Sequence, residues 1–363
     1  MTAADSTVQT VTGPVAAGDL GVVLPHEHLF NDLSACLVPP TYASSENLAE
    51  RAVGPELQWA LRQDPYCSRD NVAPKAFSGV RDEVAAYQAA GGGTIVDATG
   101  SPAIGRDPEQ LLRLSRETGL HVVMSTGAYL EKFEGSRITG VAVDALAQEI
   151  LDELTVGLGE QRIRAGMIGE VGVSPDFTFG ERASLRAAAL AQTQSHGAAM
   201  NVHMPGWQRR GDEVLDIVVD EIGADPTRLS LAHSDPSGED PAYQRRLLDR
   251  GVWLEFDMVG LDITFPGEGA SPAIAATADA VADLVHAGYA DQILLSHDLF
   301  LKQMWSSLGG NGFLLVPTLF LDLLVARGVD PSVARRLVTE NPQRYLTGAE
   351  QHRSTAERHE SVP

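Results

Sequence analysis

The sequence contains few cysteines and little positive charge. Its 363 residues include two cysteines, Cys36 and Cys67, which are too few for a disulfide scaffold and do not form a closely spaced zinc pair. Basic residues number 27 against 49 acidic ones, and the formal net charge is -22. A charge of this sign repels nucleic-acid phosphates and anionic lipid surfaces. We therefore expect neither nucleic acid nor a membrane as a partner.

Long hydrophobic runs are also lacking. No stretch approaches the roughly 18 continuous apolar residues of a transmembrane helix. The first residues, MTAADSTVQTVTG, lack the positive cluster and the apolar segment of a signal peptide. We expect a cytoplasmic protein that acts on a small-molecule substrate.

Short apolar runs, rich in β-branched residues, alternate along the chain with amphipathic segments. Eight such runs follow a short N-terminal β segment: GVVL (21–24), GTIVDAT (93–99), HVVMSTGA (121–128), AGMIGEVGV (165–173), AAMNVHM (198–204), LSLAH (229–233), VWLEFDMV (252–259) and QILLSHD (292–298). The segments between them include residues 80–91, 107–119, 181–197 and 276–288, with apolar residues at helical spacing. This alternation predicts an α/β fold, a (β/α)8 TIM barrel of parallel strands wrapped by helices.

One long segment interrupts this alternation. Residues 31–78 contain five prolines and follow the first predicted strand. We predict a single barrel domain over residues 1–348, in which 31–78 is an insertion that covers the C-terminal mouth of the barrel. Residues 349–363 are polar and have no apolar period, so we predict a mobile tail there.

Two histidines end the first predicted strand, in the segment LPHEHLF. His26 and His28 share one face of the strand because side-chain direction repeats every two residues, whereas Glu27 points into the barrel wall. Both imidazoles are therefore able to reach the same atom.

Other titratable residues end four further strands. Parallel strands buried on both faces are almost uniformly apolar, so each such residue requires an explanation. They are Glu170 in MIGEVGV, His203 in MNVHM, His233 in LSLAH and Asp298 in LLSHD. Taken singly, a histidine such as His203 is more often a hydrogen-bonded core residue than a ligand. Taken together, four imidazoles and two carboxylates at the mouth are explained by a pair of divalent cations.

The remaining histidines have ordinary explanations. His297 and Asp298 point to opposite sides of their strand, and we predict that Asp298 faces the barrel centre. Five others are predicted to be structural or solvent-exposed because they start a strand or lie on helices or in the tail: His121, His196, His286, His352 and His359.

These motifs, in this order and spacing, resemble the phosphotriesterase family of the amidohydrolase superfamily. The resemblance runs from about Thr7 to Gly348 and is carried by TVTGPVAAGDLGVVLPHEHLF, IGEVGVS, NVHMPG, LAHSDP and ILLSHD. The segments GGGTIVDATG, WLEFDMVG and ENPQRYLTG are most similar to its phosphotriesterase-related branch. The resemblance implies a (β/α)8 barrel with a binuclear metal centre, usually of zinc, with manganese or cobalt as alternatives. It also implies a possible homodimer.

The resemblance implies a role for each predicted ligand. His26, His28 and Asp298 hold the more buried metal, and His203 and His233 hold the more exposed one. The bridging residue, a carboxylated lysine in the best-known members, is Glu170 here. Glutamate is already an anion, so the site is expected to assemble without carbon dioxide.

The predicted reaction is metal-dependent hydrolysis. A metal-bridged hydroxide attacks a carboxylic ester, lactone or N-acyl amide, and Asp298 takes up the proton. Two alternatives stay open: an organophosphate phosphotriesterase, and a metal-containing binding protein without turnover. Tyr129, in STGAYLEKF, and Lys302, in SHDLFLKQ, are predicted substrate contacts; the alternatives are rim packing for Tyr129 and a solvated side chain for Lys302.

Overall fold

The computed structural model of the protein describes residues 6–195 and 197–348. A hairpin of β1 (Thr7–Thr10) and β2 (Gly13–Ala16) precedes an eight-stranded parallel sheet that curls into a barrel. The barrel strands are β3 (Val22–Glu27), β4 (Gly92–Asp97), β5 (His121–Thr126), β6 (Met167–Gly172), β7 (Met200–His203), β8 (Leu229–Leu231), β9 (Trp253–Phe256) and β12 (Ile293–Leu295). The predicted (β/α)8 barrel and its N-terminal β segment are confirmed.

Each barrel strand pairs with the next barrel strand along the chain, and the last returns to the first. The order runs from β3 through β9 to β12, and closure is made by Asp298, whose N–H donates to the His26 carbonyl at 3.2 Å. β3 reaches Glu27, three residues beyond the predicted run, because Glu27 pairs with Asp97 of β4. This extension places His26 within the barrel wall.

Helices cover the outside of the barrel. They are α3 (Phe77–Ala89), α4 (Pro108–Thr118), α6 (Val143–Thr155), α7 (Phe179–Gln194), α8 (Gly211–Leu215), α9 (Pro241–Asp249), α10 (Ile274–Leu284), α11 (Leu321–Val325), α12 (Pro331–Arg336) and α13 (Glu340–Thr347). Three π-helical segments adjoin α8, α10 and α11: Asp216–Glu221, Val285–Tyr289 and Val316–Phe320. Short helices α1 (Gln58–Leu61), α2 (Arg69–Val72) and α5 (Glu131–Glu134) lie in the loops at the mouth.

Local sequence explains where the outer helices begin and end. The Thr178 hydroxyl accepts from the Glu181 N–H, and the Glu181 carboxylate accepts from the Thr178 N–H, so α7 begins with a capping box. Asp107 caps α4, which ends at Gly119 with φ of 74°. A glycine suits this left-handed end because it has no Cβ.

The segment 31–78, predicted as an insertion, forms its own apolar cluster from Leu48, Val53, Leu57, Ala60, Leu61 and Cys67. It is bonded to the loop after β12: the Asn71 Nδ2 donates to Gln303 Oε1 at 2.7 Å. It is also bonded to the hairpin of β10 (Thr264–Phe265) and β11 (Gly269–Ala270), since the Thr264 N–H donates to the Arg62 carbonyl at 2.7 Å. The segment thus lies against two other loops of the mouth.

Two further sequence predictions concern the ends of the molecule and its environment. The predicted tail, 349–363, lies outside the described residues, as do His196, His352 and His359. No helix in the described ranges combines the length and apolar character required to cross a lipid bilayer. Both cysteines are free thiols.

Candidate metal centre

The six predicted ligands lie together at the C-terminal end of the barrel. His26 and His28 come from the end of β3, Glu170 from β6, His203 from the last position of β7, His233 from just after β8 and Asp298 from just after β12. All are buried except His203, whose side chain is 18% exposed. The strand-end pattern in the sequence thus corresponds to one cluster in space.

Glu170 lies at the centre of this cluster. Its Oε2 is 2.9 Å from His203 Nδ1, 3.5 Å from His233 Nε2 and 3.6 Å from His26 Nε2. Its Oε1 is 3.3 Å from His28 Nε2. One carboxylate therefore faces all four imidazoles, which is the arrangement required of a bridging ligand.

Asp298 lies close to the same two β3 histidines. Its Oδ1 is 3.2 Å from His28 Nε2 and 3.8 Å from His26 Nε2. Three groups among the described residues have ligand atoms within 4.8 Å of one another: His26, His28 and Asp298; His26, Glu170 and His233; and His26, Glu255 and Asp257. The described residues therefore contain overlapping candidate sites for more than one ion.

His26 provides the clearest test of whether a metal fits. Its ring is fully buried, yet neither Nδ1 nor Nε2 makes a hydrogen bond, and the nearest carboxylate oxygen, Asp257 Oδ2, lies 3.4 Å from Nδ1. A buried polar nitrogen without a partner is costly, and a metal ion at Nε2 would remove that cost. The donor set of imidazoles and carboxylates is also one that divalent transition metals bind.

Two of the six residues have a left-handed backbone conformation. His233 and Asp298 have φ values of 56° and 51°, in the left-handed region that non-glycine residues rarely adopt. Such conformations cluster at functional sites because the surrounding structure has to hold them in place. Both residues are thus held where ordinary strand geometry would not place them.

A second layer of polar groups orients the histidines. Asp257 Oδ1 is 3.0 Å from His233 Nδ1, and Asp257 Oδ2 is 3.4 Å from His26 Nδ1. The Thr99 hydroxyl is 2.8 Å from His28 Nδ1. Partners of this kind fix the ring orientation and leave Nε2 free for a metal.

Glu27 supports the segment that carries Asp298. Its carboxylate accepts hydrogen bonds from the Ser296 hydroxyl at 2.8 Å and from the N–H groups of His297 and Leu299 at 2.9 Å. His297 Nδ1 lies 2.8 Å from the same carboxylate. As predicted, Glu27 points into the barrel wall; His297 faces the wall, while Asp298 faces the cluster.

Lys75, in the segment 31–78, connects that segment to the site. Its buried Nζ donates to the carbonyls of His28 at 2.6 Å and Leu299 at 3.0 Å. Burial is the main reason that the pKa of Lys75 is lowered to about 7, although neighbouring carboxylates, Asp97 first, oppose it. Lys75 thus holds together the two chain segments that follow His28 and Asp298.

The charges of the cluster favour bound cations. Burial alone would lower the pKa of His26, but carboxylates, above all Asp257, outweigh it and raise that pKa to about 10. Burial would likewise lower the pKa of His28, but Asp298 and Glu170 outweigh it and raise that pKa to about 9. Both shifts favour a proton on His26 and His28 when no metal is bound, and a metal ion would displace these protons on binding.

A cavity of about 800 Å³ opens from the cluster to solvent. Aromatic side chains form much of its wall, among them Tyr66, Trp207, Phe265 and Phe300. Trp207 and Phe265 pack with ring centres 5.3 Å apart, and Phe265 and Phe300 with centres 6.2 Å apart. The cluster therefore forms the floor of a pocket whose wall suits an organic ligand.

The two predicted substrate contacts are placed differently. Tyr129 lines the cavity, and its hydroxyl lies 3.4 Å from His203 Nδ1. Lys302 is not among the cavity-lining residues that the structure describes, because its Nζ is held by Asp70 Oδ1 at 2.6 Å. Its placement therefore does not support the predicted role of Lys302.

Sequence reasoning missed three groups near the site. Glu255 and Asp257 lie in or after β9, in the run VWLEFDMV, where the same signal of acidic residues in a buried strand was present. Lys75 follows a proline within an irregular segment and gave no such signal.

Comparisons with known proteins agree with this geometry. The model of the phosphotriesterase family matches residues 6–346. An N-acetyltaurine hydrolase of Tetraodon nigroviridis is 31% identical over 344 residues, which cover 94% of this chain and 97% of that protein.

Two solved structures are similar as well. A resiniferatoxin-binding protein from Rhodobacter sphaeroides has a TM-score of 0.92 and 40% identity, covering 97% of this chain and 98% of that one. A mutant PTE-like lactonase from Deinococcus radiodurans has a TM-score of 0.72 and 30% identity. The match covers 94% of this chain and 100% of that one.

Proposed function

This chain belongs to the phosphotriesterase family and is a hydrolase, and we propose that it cleaves a carboxylic amide, ester or lactone at a binuclear metal site. The observation that carries this proposal is the position of Glu170, whose two oxygens face four histidines on the floor of an open cavity. That arrangement supports a bridging carboxylate and two ions.

The distances support one division of the ligands. His26, His28 and Asp298 would hold the more buried ion, and His203 and His233 the more exposed ion, with Glu170 shared between them. Zinc suits this set of nitrogen and carboxylate donors, and manganese and cobalt are the alternatives. When bound, the metals would polarise the scissile carbonyl and supply water activated for attack.

The residues of the chain supply the remaining functions. Asp298, whose Oδ1 lies 3.2 Å from His28 Nε2, is the candidate acceptor for the proton of the attacking water. Burial by itself would raise the pKa of Asp298. The neighbouring histidines, His28 first, outweigh burial and lower that pKa. Tyr129, on the cavity wall above His203, would contact the acyl part of the substrate.

Relatives of the chain support a carbonyl substrate. N-acetyltaurine hydrolases share 29–31% identity with the chain along nearly their whole length, and these enzymes act on an amide. The stretch DMVGLD (257–262) resembles a segment like DRYGLD in which the lactonases of the family carry an arginine; here Met258 stands at that position, and it lines the cavity. We therefore place amides and simple esters ahead of lactones, and all three ahead of phosphotriesters.

The test is a hydrolysis screen of zinc-loaded protein, with Glu170→Ala as control. The panel comprises N-acetyl amides, aryl esters, lactones and paraoxon. We expect turnover of carboxylic substrates that falls at least ~10²-fold in Glu170→Ala, because the bridging ligand is lost. Preferred turnover of paraoxon would identify a phosphotriesterase instead. Activity that survives the substitution would place the chemistry at another site.

The Rhodobacter structure is named for binding, so ligand binding without turnover is the outcome of this screen that would contradict the proposal. In that case metal-loaded protein would bind a ligand in the cavity and hydrolyse none of the panel. The cytoplasmic location and the homodimer stay predictions; the elution volume of the metal-loaded protein in size-exclusion chromatography tests the dimer.

A further inference from the structure

Lysine is rare in this chain, and each lysine has a different environment. Of the 27 basic residues only three are lysines: Lys75, Lys132 and Lys302. Lys75 is buried on two backbone carbonyls, and Lys302 is paired with Asp70. Lys132 alone among them lies at the cavity.

Lys132 belongs to α5, in the loop that follows β5. Its exposed side chain lines the cavity, and its Nζ lies 4.9 Å from the centre of the Phe133 ring. It makes no ion pair with any aspartate or glutamate in the described ranges, 6–195 and 197–348. Lys132 lies three positions after Tyr129, which reaches the floor of the same cavity at His203.

The wall around Lys132 is otherwise poor in charge. Apart from the proposed metal ligands, the described residues that line the cavity include one cation, Lys132, and one anion, Glu268. Lys132 also acts on the segment 31–78: burial raises the pKa of the Cys36 thiol, and the charge of Lys132 opposes that rise. The ammonium group therefore lies at the mouth, near the loop that covers it.

An unpaired cation at this point offsets the charge of the whole molecule locally. A net charge of -22 disfavours the approach of an anionic substrate, whereas a cation on the wall of a cleft attracts one. A lysine ammonium is a compact point charge that suits the single acidic end of a small molecule.

We infer that Lys132 binds a carboxylate or sulfonate at the end of the substrate remote from the scissile carbonyl. The inference rests on the proposed function and narrows its substrate class to N-acyl amides, or the matching esters, whose leaving part carries an acid group. The metal floor holds the acyl carbonyl, and Lys132 holds the acid at the mouth. N-acetyltaurine, the substrate of the named relatives, has this form, with a sulfonate two carbons from its amide nitrogen.

The test compares four N-acetyl amines with the same two-carbon spacer. N-acetyltaurine carries a sulfonate, N-acetyl-β-alanine a carboxylate, N-acetylethanolamine a neutral hydroxyl and N-acetylethylenediamine an ammonium group. Phenyl acetate and its 4-sulfonate form a second, ester pair. The proteins are the zinc-loaded wild type, Lys132→Met, Lys132→Glu and the matched control Lys302→Met.

For Lys132→Met we expect kcat/KM to fall about tenfold with each anionic substrate, mainly through KM, because a charge-assisted contact is lost. With neutral substrates kcat/KM should change less than about twofold. Lys132→Glu should reduce the anionic substrates further and favour the ammonium substrate. Lys302→Met should behave like wild type.

Equal effects of Lys132→Met on charged and neutral substrates would overturn the inference, as would an unchanged KM for both anions. Loss with only one of the two acids would restrict the class to that acid. If the wild type cleaves charged and neutral substrates equally well, the role of Lys132 is contradicted but the proposed function is not. Wild type that cleaves none of the amides and esters contradicts the proposed function and the inference together.

Discussion

The floor and the rim of the cavity are formed in different ways. The floor consists of buried side chains at the ends of barrel strands, and a second layer of buried carboxylates and hydroxyls orients them. The rim comes from the segment 31–78, the loops after β5, β7 and β12 and the hairpin β10–β11, and carries aromatic side chains and Lys132. The barrel thus determines the chemistry, and the loops determine what is admitted to it.

Removing the proposed proton acceptor of the floor, Asp298, should have the largest effect. We expect Asp298→Asn to lower kcat at least ~10²-fold with every substrate, because the amide cannot take up the proton. Metal content by elemental analysis should stay near that of wild type. Near-normal turnover with normal metal content would remove Asp298 from this role.

Changing the second layer should weaken metal binding at the floor without altering a residue that contacts the substrate. Asp257→Asn leaves His233 Nδ1 without its carboxylate, and metal affinity measured by chelator competition should fall about 10- to 100-fold. Glu83→Gln is the control, since Glu83 is a buried carboxylate bonded to Ser306 and Ser307. If both variants lost metal equally, the effect would be one of general stability.

Changing the rim should alter selectivity and leave the metals in place. Trp207→Ala removes an aromatic side chain from the cavity wall. We expect KM to change by up to about tenfold, and the size of the change to differ between substrates. Trp59→Ala is the control, because Trp59 is 62% exposed and does not line the cavity. A fall in metal content in Trp207→Ala would break the distinction between floor and rim.

The pH dependence of stability should differ between metal-free and metal-loaded protein. In the metal-free fold, His28 and His26 have pKa values raised to about 9 and about 10. Their stabilisation is fully present below the unfolded pKa of about 6.5 and is lost as the pH rises to about 10. The thermal midpoint of metal-free protein should therefore fall over this range, and that of loaded protein should fall less. Parallel curves would contradict the effect of the cluster.

The sequence predicts the floor better than the rim, for a physical reason. His203, His233 and Asp298 stand out because buried parallel strands are otherwise apolar, and strand ends meet at one edge. Glu170 stood out in the same way, and its role as the bridge came from the family resemblance.

No such rule applies to the loops. Lys302 was predicted at the mouth, yet its Nζ is held by Asp70, and the cation on the wall is Lys132. Lysine side chains in loops are placed by contacts between segments far apart in sequence, so their local sequence does not indicate their direction. The same is true of Lys75, which is fixed by two carbonyls more than 200 residues apart in the chain.

The most direct test of the account is reconstitution of metal-stripped protein with zinc, in the presence and absence of bicarbonate, with metal content and hydrolysis measured together. Because Glu170 needs no carbon dioxide to bridge the ions, we predict two zinc ions per chain and the same hydrolytic activity in both cases. A strict requirement for bicarbonate, or full activity with one ion per chain, would contradict a glutamate-bridged binuclear site.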